Sequence, residues 1–210
     1  MSCLKKSYEK YLLPKLIDLS MSNRRLAGLR GEVLPAATGR VLEVGLGSGL
    51  NLPYYRADVQ SLTGLDPSAE LLEMARKKVP GLAFACSLLP HSAADMPFDD
   101  ASFDTVVTTW TLCSIPNVEQ ALMEMRRVLK PGGELLFIEH GRSSDPSVRN
   151  WQNRLNGVWG HCSGGCNLNR EIEVLIAQSG FDIHQMDTGY MVPGPRFLTY
   201  FYRGRAVRSA

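Results

Sequence analysis

Apolar and polar positions in this chain follow two periods in turn: short β-branched runs, and stretches where apolar residues recur every three or four positions. Leu42 to Val44 is the first strand-like run. Leu62-Thr63-Gly64-Leu65 is the second and ends at Asp66, where Pro67-Ser68 opens a helix with Ser68 as N-cap. Leu71, Leu72, Ala75 and Val79 then share one helical face. Phe103 to Thr109 reads as a buried strand, and Pro116-Asn117 starts a helix striped by Val118, Ala121, Leu122, Met125 and Leu129. Lys130-Pro131-Gly132-Gly133 predicts the stop of that helix and a turn. Glu134 to Glu139 is the next strand, and Ile172 to Gln178 a helix ended by Gly180. Phe181 to Met186 and Phe197 to Tyr202 close the chain as strands. Strand alternating with helix predicts an α/β fold, a doubly wound, mostly parallel sheet covered on both faces. The last two strands join without a helix signal, which predicts an antiparallel far edge.

Two stretches depart from this rhythm. Residues 1–38 are helical in pattern, with Tyr8, Leu12, Leu13, Leu16, Ile17 and Leu19 apolar. Residues 141–170, after the strand ending at His140, are rich in glycine, asparagine, serine and tryptophan. Ligands of open α/β sheets bind at the C-terminal edge of the strands, and long inserts there carry specificity. Both stretches read as lids of one domain spanning 1–210, the first helical and the second an insert after the strand ending at His140. With 210 residues and 44% apolar content, the chain has ample material for one packed core. A net charge of +2 argues against nucleic-acid binding by bulk electrostatics.

The most informative segment is Val41-Leu42-Glu43-Val44-Gly45-Leu46-Gly47-Ser48-Gly49. Its spacing is G-x-G-x-G, not the G-x-G-x-x-G of a dinucleotide fold, because Leu50 stands where a third glycine would be. Glycine allows a sharp strand-to-helix turn and lets backbone approach a ligand that a Cβ would repel. Asp66 follows at about 20 residues, a spacing that suits a carboxylate accepting from ribose hydroxyls. Together the two features point to an adenosine cofactor.

Val41 to Gly49, Leu65-Asp66-Pro67-Ser68, Met96-Pro97-Phe98-Asp99-Asp100-Ala101-Ser102-Phe103-Asp104 and Arg127-Val128-Leu129-Lys130-Pro131-Gly132-Gly133 resemble the successive motifs of class I S-adenosylmethionine-dependent methyltransferases. The resemblance covers residues 40–140 and implies a seven-stranded, Rossmann-like sheet. Leu112-Cys113-Ser114, Glu139-His140 and Gly165-Cys166-Asn167-Leu168-Asn169-Arg170-Glu171 are most similar to the methyltransferase-like 7 family, whose activity is methylation of alkyl thiols. The ubiquinone and menaquinone biosynthesis C-methyltransferases share the core motifs and resemble the insert less. Animal members of the first group carry an N-terminal membrane anchor, whereas no apolar run here approaches the roughly 18 residues that span a bilayer. Five cysteines at irregular spacing fit reduced thiols in a cytoplasmic protein.

By position, the resemblance implies that Gly45, Leu46, Gly47, Gly49 and Asn51 lie against the methionine and ribose parts of S-adenosylmethionine, with Glu43 orienting the α-amino group directly or through water. Asp66 would accept both ribose hydroxyls, Leu65 and Pro67 would flank the adenine, and the Ser92–Ala93 backbone would meet its edge, Asp95 being displaced from the acidic position. Thr109 and Trp110 would line the methionine end.

The acceptor is expected to be a small molecule, most simply a thiol, since thiolate is the reactive form and free thiols titrate near pH 8.5. Two other readings stay open: C- or O-methylation of a quinone-like or phenolic metabolite, and cofactor binding without catalysis. His140, at a strand end facing the expected pocket, is either the acceptor's base or a structural histidine holding the insert. Glu139 should point to the opposite face. Cys113, Trp151 and Trp159 are expected to line the acceptor site. His161, Cys162 and Cys166 lack the fourth ligand of a structural zinc site, so no metal is expected. Arg203, Arg205 and Arg208 read as a solvated terminus.

Overall fold

The computed structural model describes residues 8–209, so the first seven residues of the expected N-terminal lid lie outside it. A π-helical turn at Tyr8–Leu12 leads into α1 (Leu13–Met21) and α2 (Arg24–Val33). The remaining elements are β1 (Gly39–Val44), β2 (Val59–Leu65), α3 (Ala69–Arg76), β3 (Ala85–Leu89), β4 (Phe103–Thr109), α4 (Val118–Val128), β5 (Leu129–His140), α5 (Pro146–Cys162), α6 (Ile172–Gln178), β6 (Phe181–Tyr190) and β7 (Tyr200–Arg208). They form one seven-stranded sheet in the order β3-β2-β1-β4-β5-β7-β6. β1 to β5 pair in parallel, whereas β7 runs antiparallel to both neighbours, between β5 and the outermost strand β6. The class I, doubly wound architecture is therefore present, with an antiparallel hairpin at the far edge.

Strand alternation divides the core in two. Leu42, Val44, Val106, Leu135 and Phe137 face α4 and α6, while Val41, Val107 and Leu136 share the other face with Leu34, Leu52, Leu72 and Ala75. A smaller cluster places Leu26 and Leu29 of α2 over Ile138 and Phe201. Ser68 caps α3 as expected, its hydroxyl accepting from Leu71 N at 3.2 Å. The stripe Val118, Ala121, Leu122 and Met125 of α4 is buried. Among the described residues no helix is long and apolar enough to cross a membrane.

Several elements differ from the sequence pattern. α3 ends at Arg76, so Val79 packs from the loop beyond it. Leu129-Lys130-Pro131-Gly132-Gly133 is the start of β5, and a bulge lets Phe103 pair with Leu129 and Thr105 with Glu134. β3, with a half-exposed pattern, has no counterpart among the strands read from sequence. Residues 141–170 contain a 17-residue helix, α5, capped by Asp145 and started by Pro146. Phe197 lies in a 3-10 turn, Arg196–Leu198, and the last strand begins at Tyr200. Arg203, Arg205 and Arg208 are consequently strand residues and not a solvated tail. Arg203 pairs with Glu32 and Asp187, and Arg208 donates to the Leu129 carbonyl.

Candidate active site

The glycine turn leaves β1 with Gly45, Gly47 and Gly49 at φ +74°, +58° and +75°. These left-handed angles disfavour any residue with a Cβ. A Cβ at Gly45 would collide with Thr111, and one at Gly49 with Leu52 and Ala75. At Gly47 the nearest atom would be the Gly45 carbonyl oxygen at 4.0 Å, so this position borders open space. Leu65 O accepts from Gly45 N at 2.7 Å and from Leu46 N at 3.1 Å, which docks the turn on the end of β2.

Asp66 continues that contact. Its Oδ2 accepts from Gly47 N at 2.9 Å and its Oδ1 from Ser68 N at 2.8 Å. Burial raises its pKa, and the Ser68 and Gly47 amides pull it back. Each carboxylate oxygen keeps a lone pair for a further donor, as two ribose hydroxyls require. Leu65 is buried beside it and Pro67 exposed. The Asp66 N–H reaches Leu89 O at the end of β3, after which come exposed Ser92 and buried Ala93.

Glu43 has no solvent exposure. Asn51 Nδ2 donates to its Oε1 and the Tyr55 hydroxyl to its Oε2, both at 2.7 Å. Asn51 Nδ2 also reaches Thr109 Oγ1 at 2.9 Å, and its Oδ1 accepts from Arg30 Nε at 2.8 Å. Burial pushes the Glu43 pKa up to about 7, against the pull of Tyr55, Asn51 and Arg30. Arg30 lies 4.8 Å from the Trp110 ring centre, and Trp110 is held at φ +51°. A bulky residue at such an angle is strained, and its N–H to Ile138 O at 2.7 Å helps to hold it there.

The N-terminal segment spans the site. Asp18 on α1 accepts from Ser48 Oγ at 2.5 Å, and Tyr8 OH donates to Cys162 O at the end of α5 at 2.8 Å. The insert is fastened to the loop after β4: Asn167 N and Nδ2 donate to Cys113 O at 2.8 and 3.0 Å, and Arg170 donates to Leu112 O. Gln152, fully buried, accepts from Ser143 N at 2.9 Å and donates to Gly141 O at 3.0 Å.

Cys113, Cys166 and His140 meet between these parts. His140 Nε2 lies 3.2 Å from Phe197 O and Nδ1 3.8 Å from Cys166 Sγ. A carbonyl only accepts, so Nε2 carries the proton and Nδ1 faces the thiol with its lone pair. Glu139 turns instead to Thr108 Oγ1 and Thr111 N, and burial lifts its pKa to about 7. The buried indole N–H of Trp159 also faces Cys166. Trp151 does not join them: it is 56% exposed, with Arg154 over its ring, because α5 turns that side to solvent. Its expected place in the acceptor wall is corrected accordingly. A hollow of about 480 Å³ lined by Thr38, Gly39, Asp58, Gln60, Asp104 and Lys130 lies at the opposite, N-terminal end of the strands, away from this chemistry. Sequence reasoning missed Arg30, Tyr55, Thr111 and Gln152, whose roles arise only from contacts distant in the chain.

Residues 42–137 match the family described as a methyltransferase domain. The chain is 32% identical over 194 residues to the human thiol S-methyltransferase TMT1B, covering 87% of this chain and 78% of that protein. It is 43% identical over 107 residues to a phosphatidylethanolamine N-methyltransferase of Cereibacter sphaeroides, covering 50% of this chain and only 52% of that relative. It is 35% identical over 109 residues to the ubiquinone/menaquinone biosynthesis C-methyltransferase UbiE of Geotalea daltonii, covering 50% and 46% of the two chains. The fold is that of the geranyl diphosphate C-methyltransferase of Streptomyces coelicolor, solved with S-adenosyl-L-homocysteine: TM-score 0.67 and 18% identity, over 88% of this chain and 80% of that one. The chain belongs to the class I S-adenosylmethionine-dependent methyltransferases. Its cofactor is S-adenosylmethionine, and the thiol S-methyltransferases are among its relatives.

Gly47→Val is expected to leave a folded protein that no longer binds S-adenosylhomocysteine, read by circular dichroism and calorimetric titration together. In the same titration, Asp66→Ala should weaken binding by about tenfold or more, since each lost bond to a charged acceptor is worth roughly 1.5–3 kcal/mol. Retained affinity in either variant would remove the turn or the acid from the binding site. The pH dependence of stability has a defined sign. Native Glu43 and Glu139, with pKa values raised to about 7, keep protons that the unfolded chain has lost. The stability of the ligand-free protein should therefore fall as pH rises from about 4.5 to 7, each group contributing on the order of 1–3 kcal/mol. Glu43→Gln, which can still accept from Asn51 and donate to Tyr55, should remove roughly half of that slope in urea titrations. An unchanged slope would mean that Glu43 is ionised in the native state.

Proposed function

We propose that this protein transfers the methyl group of S-adenosylmethionine to the sulfur of a small-molecule thiol. The observation that carries the reading is the position of His140: both ring nitrogens are engaged, one by Phe197 O and the other by Cys166. An acceptor there must supply much of its own ionisation. Thiols do so at neutral pH, whereas carbon and most oxygen acceptors need a dedicated base. Similarity to a thiol S-methyltransferase over most of both chains supports the same choice.

In this reading the glycine turn and Asn51 bind the methionine and ribose parts. Asp66 accepts the ribose hydroxyls, Leu65, Pro67 and the Ser92–Ala93 backbone border the adenine, and Thr109 and Trp110 close the methionine end. Glu43, fully buried, acts by holding Asn51 and Tyr55. The bound cofactor supplies an electrophilic sulfonium methyl. The chain's own work is alignment of the acceptor and exclusion of water. Residues 8–38 and 141–170 act as lids, and Cys113, Trp159 and His140 border the acceptor. His140 orients the insert and does not serve as an obligatory base. The cysteine usage supports a reducing, cytoplasmic setting.

The test is S-adenosylhomocysteine release with two alkyl thiols of different acidity, from about pH 5.5 to 9.5. For a self-ionising acceptor, kcat/KM should rise with pH and level off at each thiol's own pKa, and His140→Ala should cost less than ~10²-fold. A profile controlled by an ionisation near pH 6.5 that vanishes in the variant would assign His140 as base. Methylation of phenols or quinones and of no thiol would replace the thiol reading with C- or O-methylation. Binding without turnover on any acceptor would leave a non-catalytic cofactor-binding protein.

A further inference from the structure

We propose that Cys166 and Cys113 form a thiol–disulfide exchange pair, with Cys166 the attacking thiol, Cys113 the resolving thiol and a small organic disulfide the co-reactant. Far apart in sequence, the two residues are brought together by the paired hydrogen bonds from Asn167 to Cys113 O, at 2.8 and 3.0 Å. The two thiols are near enough to influence each other's ionisation, while Cys113 Sγ also reaches Trp110 O and Ser114 Oγ at 3.5 Å. Joining them at the ~2.05 Å of a disulfide needs movement of both side chains.

The order of attack follows from access and charge. Cys113 is 2% exposed, so an incoming disulfide meets Cys166 first, which is only partly buried. Cys166 also has the activating neighbours: the Cys113 thiol, His140 Nδ1 at 3.8 Å and the Trp159 indole N–H. Together they favour its thiolate against the desolvation that opposes it. The neighbouring Cys166 sulfur and then burial keep Cys113 protonated until it is needed. The other charged groups facing the pair are Glu139 at the end of β5 and Arg170 of the insert. Cys86 has the opposite character, its thiol pushed up to about 11 by burial and by Glu43.

In the first step the Cys166 thiolate attacks one sulfur of the disulfide RSSR. The S–S bond breaks, one RSH leaves with the proton that His140 took from Cys166, and Cys166 carries a mixed disulfide. In the second step Cys113 attacks the Cys166 sulfur, and its proton goes to the departing RS⁻. The second RSH leaves, and Cys113 and Cys166 are joined. Two protein thiols are oxidised by two electrons and one disulfide is reduced to two thiols. The new bond ties the insert covalently to the loop after β4.

The experiment treats the reduced full chain with bis(2-hydroxyethyl) disulfide at about pH 6.5, quenches with acid and alkylating agent, and maps the peptides without reduction. The parent should yield a linked Cys113–Cys166 peptide. Cys113→Ser should accumulate the 2-hydroxyethyl adduct on Cys166, and Cys166→Ser should leave Cys113 unmodified. His140→Gln should slow the reaction of Cys166 by about tenfold or more at this pH, the difference narrowing near pH 9. Cys162, exposed on α5, serves as the reference thiol in every sample. The parent protein decides the matter independently of how the variants fold. Reaction at Cys162 with Cys166 untouched, or an adduct on Cys166 that never passes to Cys113, would overturn the proposal.

Discussion

An acid with no solvent contact, Glu43, stands near the C-terminal end of the interior strand β1, and the geometry around the glycine turn depends on how its oxygens are satisfied. Burial lifts its pKa to about 7, and polar atoms buried there need hydrogen-bond partners, without which they would cost several kcal/mol. Glu43 meets that requirement with Tyr55 on one oxygen and Asn51 on the other, and with the positive charge of Arg30 behind Asn51. Tyr55 and Asn51 follow the glycine turn, and Arg30 belongs to α2. One carboxylate thus registers the turn against the helical N-terminal segment. Arg30 extends the chain of contacts to Met21 O at the end of α1, and Asp18 on the same helix binds Ser48 within the turn.

The segment 141–170 is held differently. Gln152, Asn167 and Arg170 all bond backbone groups, of Ser143, Gly141, Cys113 and Leu112. Fastening through main chain leaves the side chains between the clamps available for chemistry. Those side chains are the two thiols, the imidazole and the Trp159 indole. The strained Trp110 stands between the two ends, in contact with Arg30 on one side and with Phe201 on the other. A shift at either end is therefore felt by the same ring.

The cofactor half of the site was legible because its determinants are local. Strand β1, the glycine turn and Asp66 lie within residues 39–66, where only a 3-10 turn, Leu52–Tyr54, separates β1 from β2, so periodicity and spacing read them directly. The acceptor half was legible only as a list of residue types. Trp151 and Trp159 carry the same side chain on one helix, yet α5 sends the first to solvent and the second to Cys166. His140 reads equally well as a base or as a structural residue until Phe197 and Cys166 are seen to engage both nitrogens.

The arginines near the C-terminus make the same point for the fold. A run with three arginines looks solvated, but the open edge of β5 needs a partner, and β7 pairs with it through residues 201–207. The arginine side chains then find Glu32, Asp187 and the Leu129 carbonyl along that strand. By itself the sequence determined the strand–helix alternation, the glycine turn after β1 and the acid that follows β2, all short-range patterns set by side-chain period and backbone freedom. Only the tertiary structure decided which strand closes the sheet, which tryptophan faces inward and which cysteines meet. Those outcomes depend on contacts between residues far apart in the chain, which local pattern does not encode.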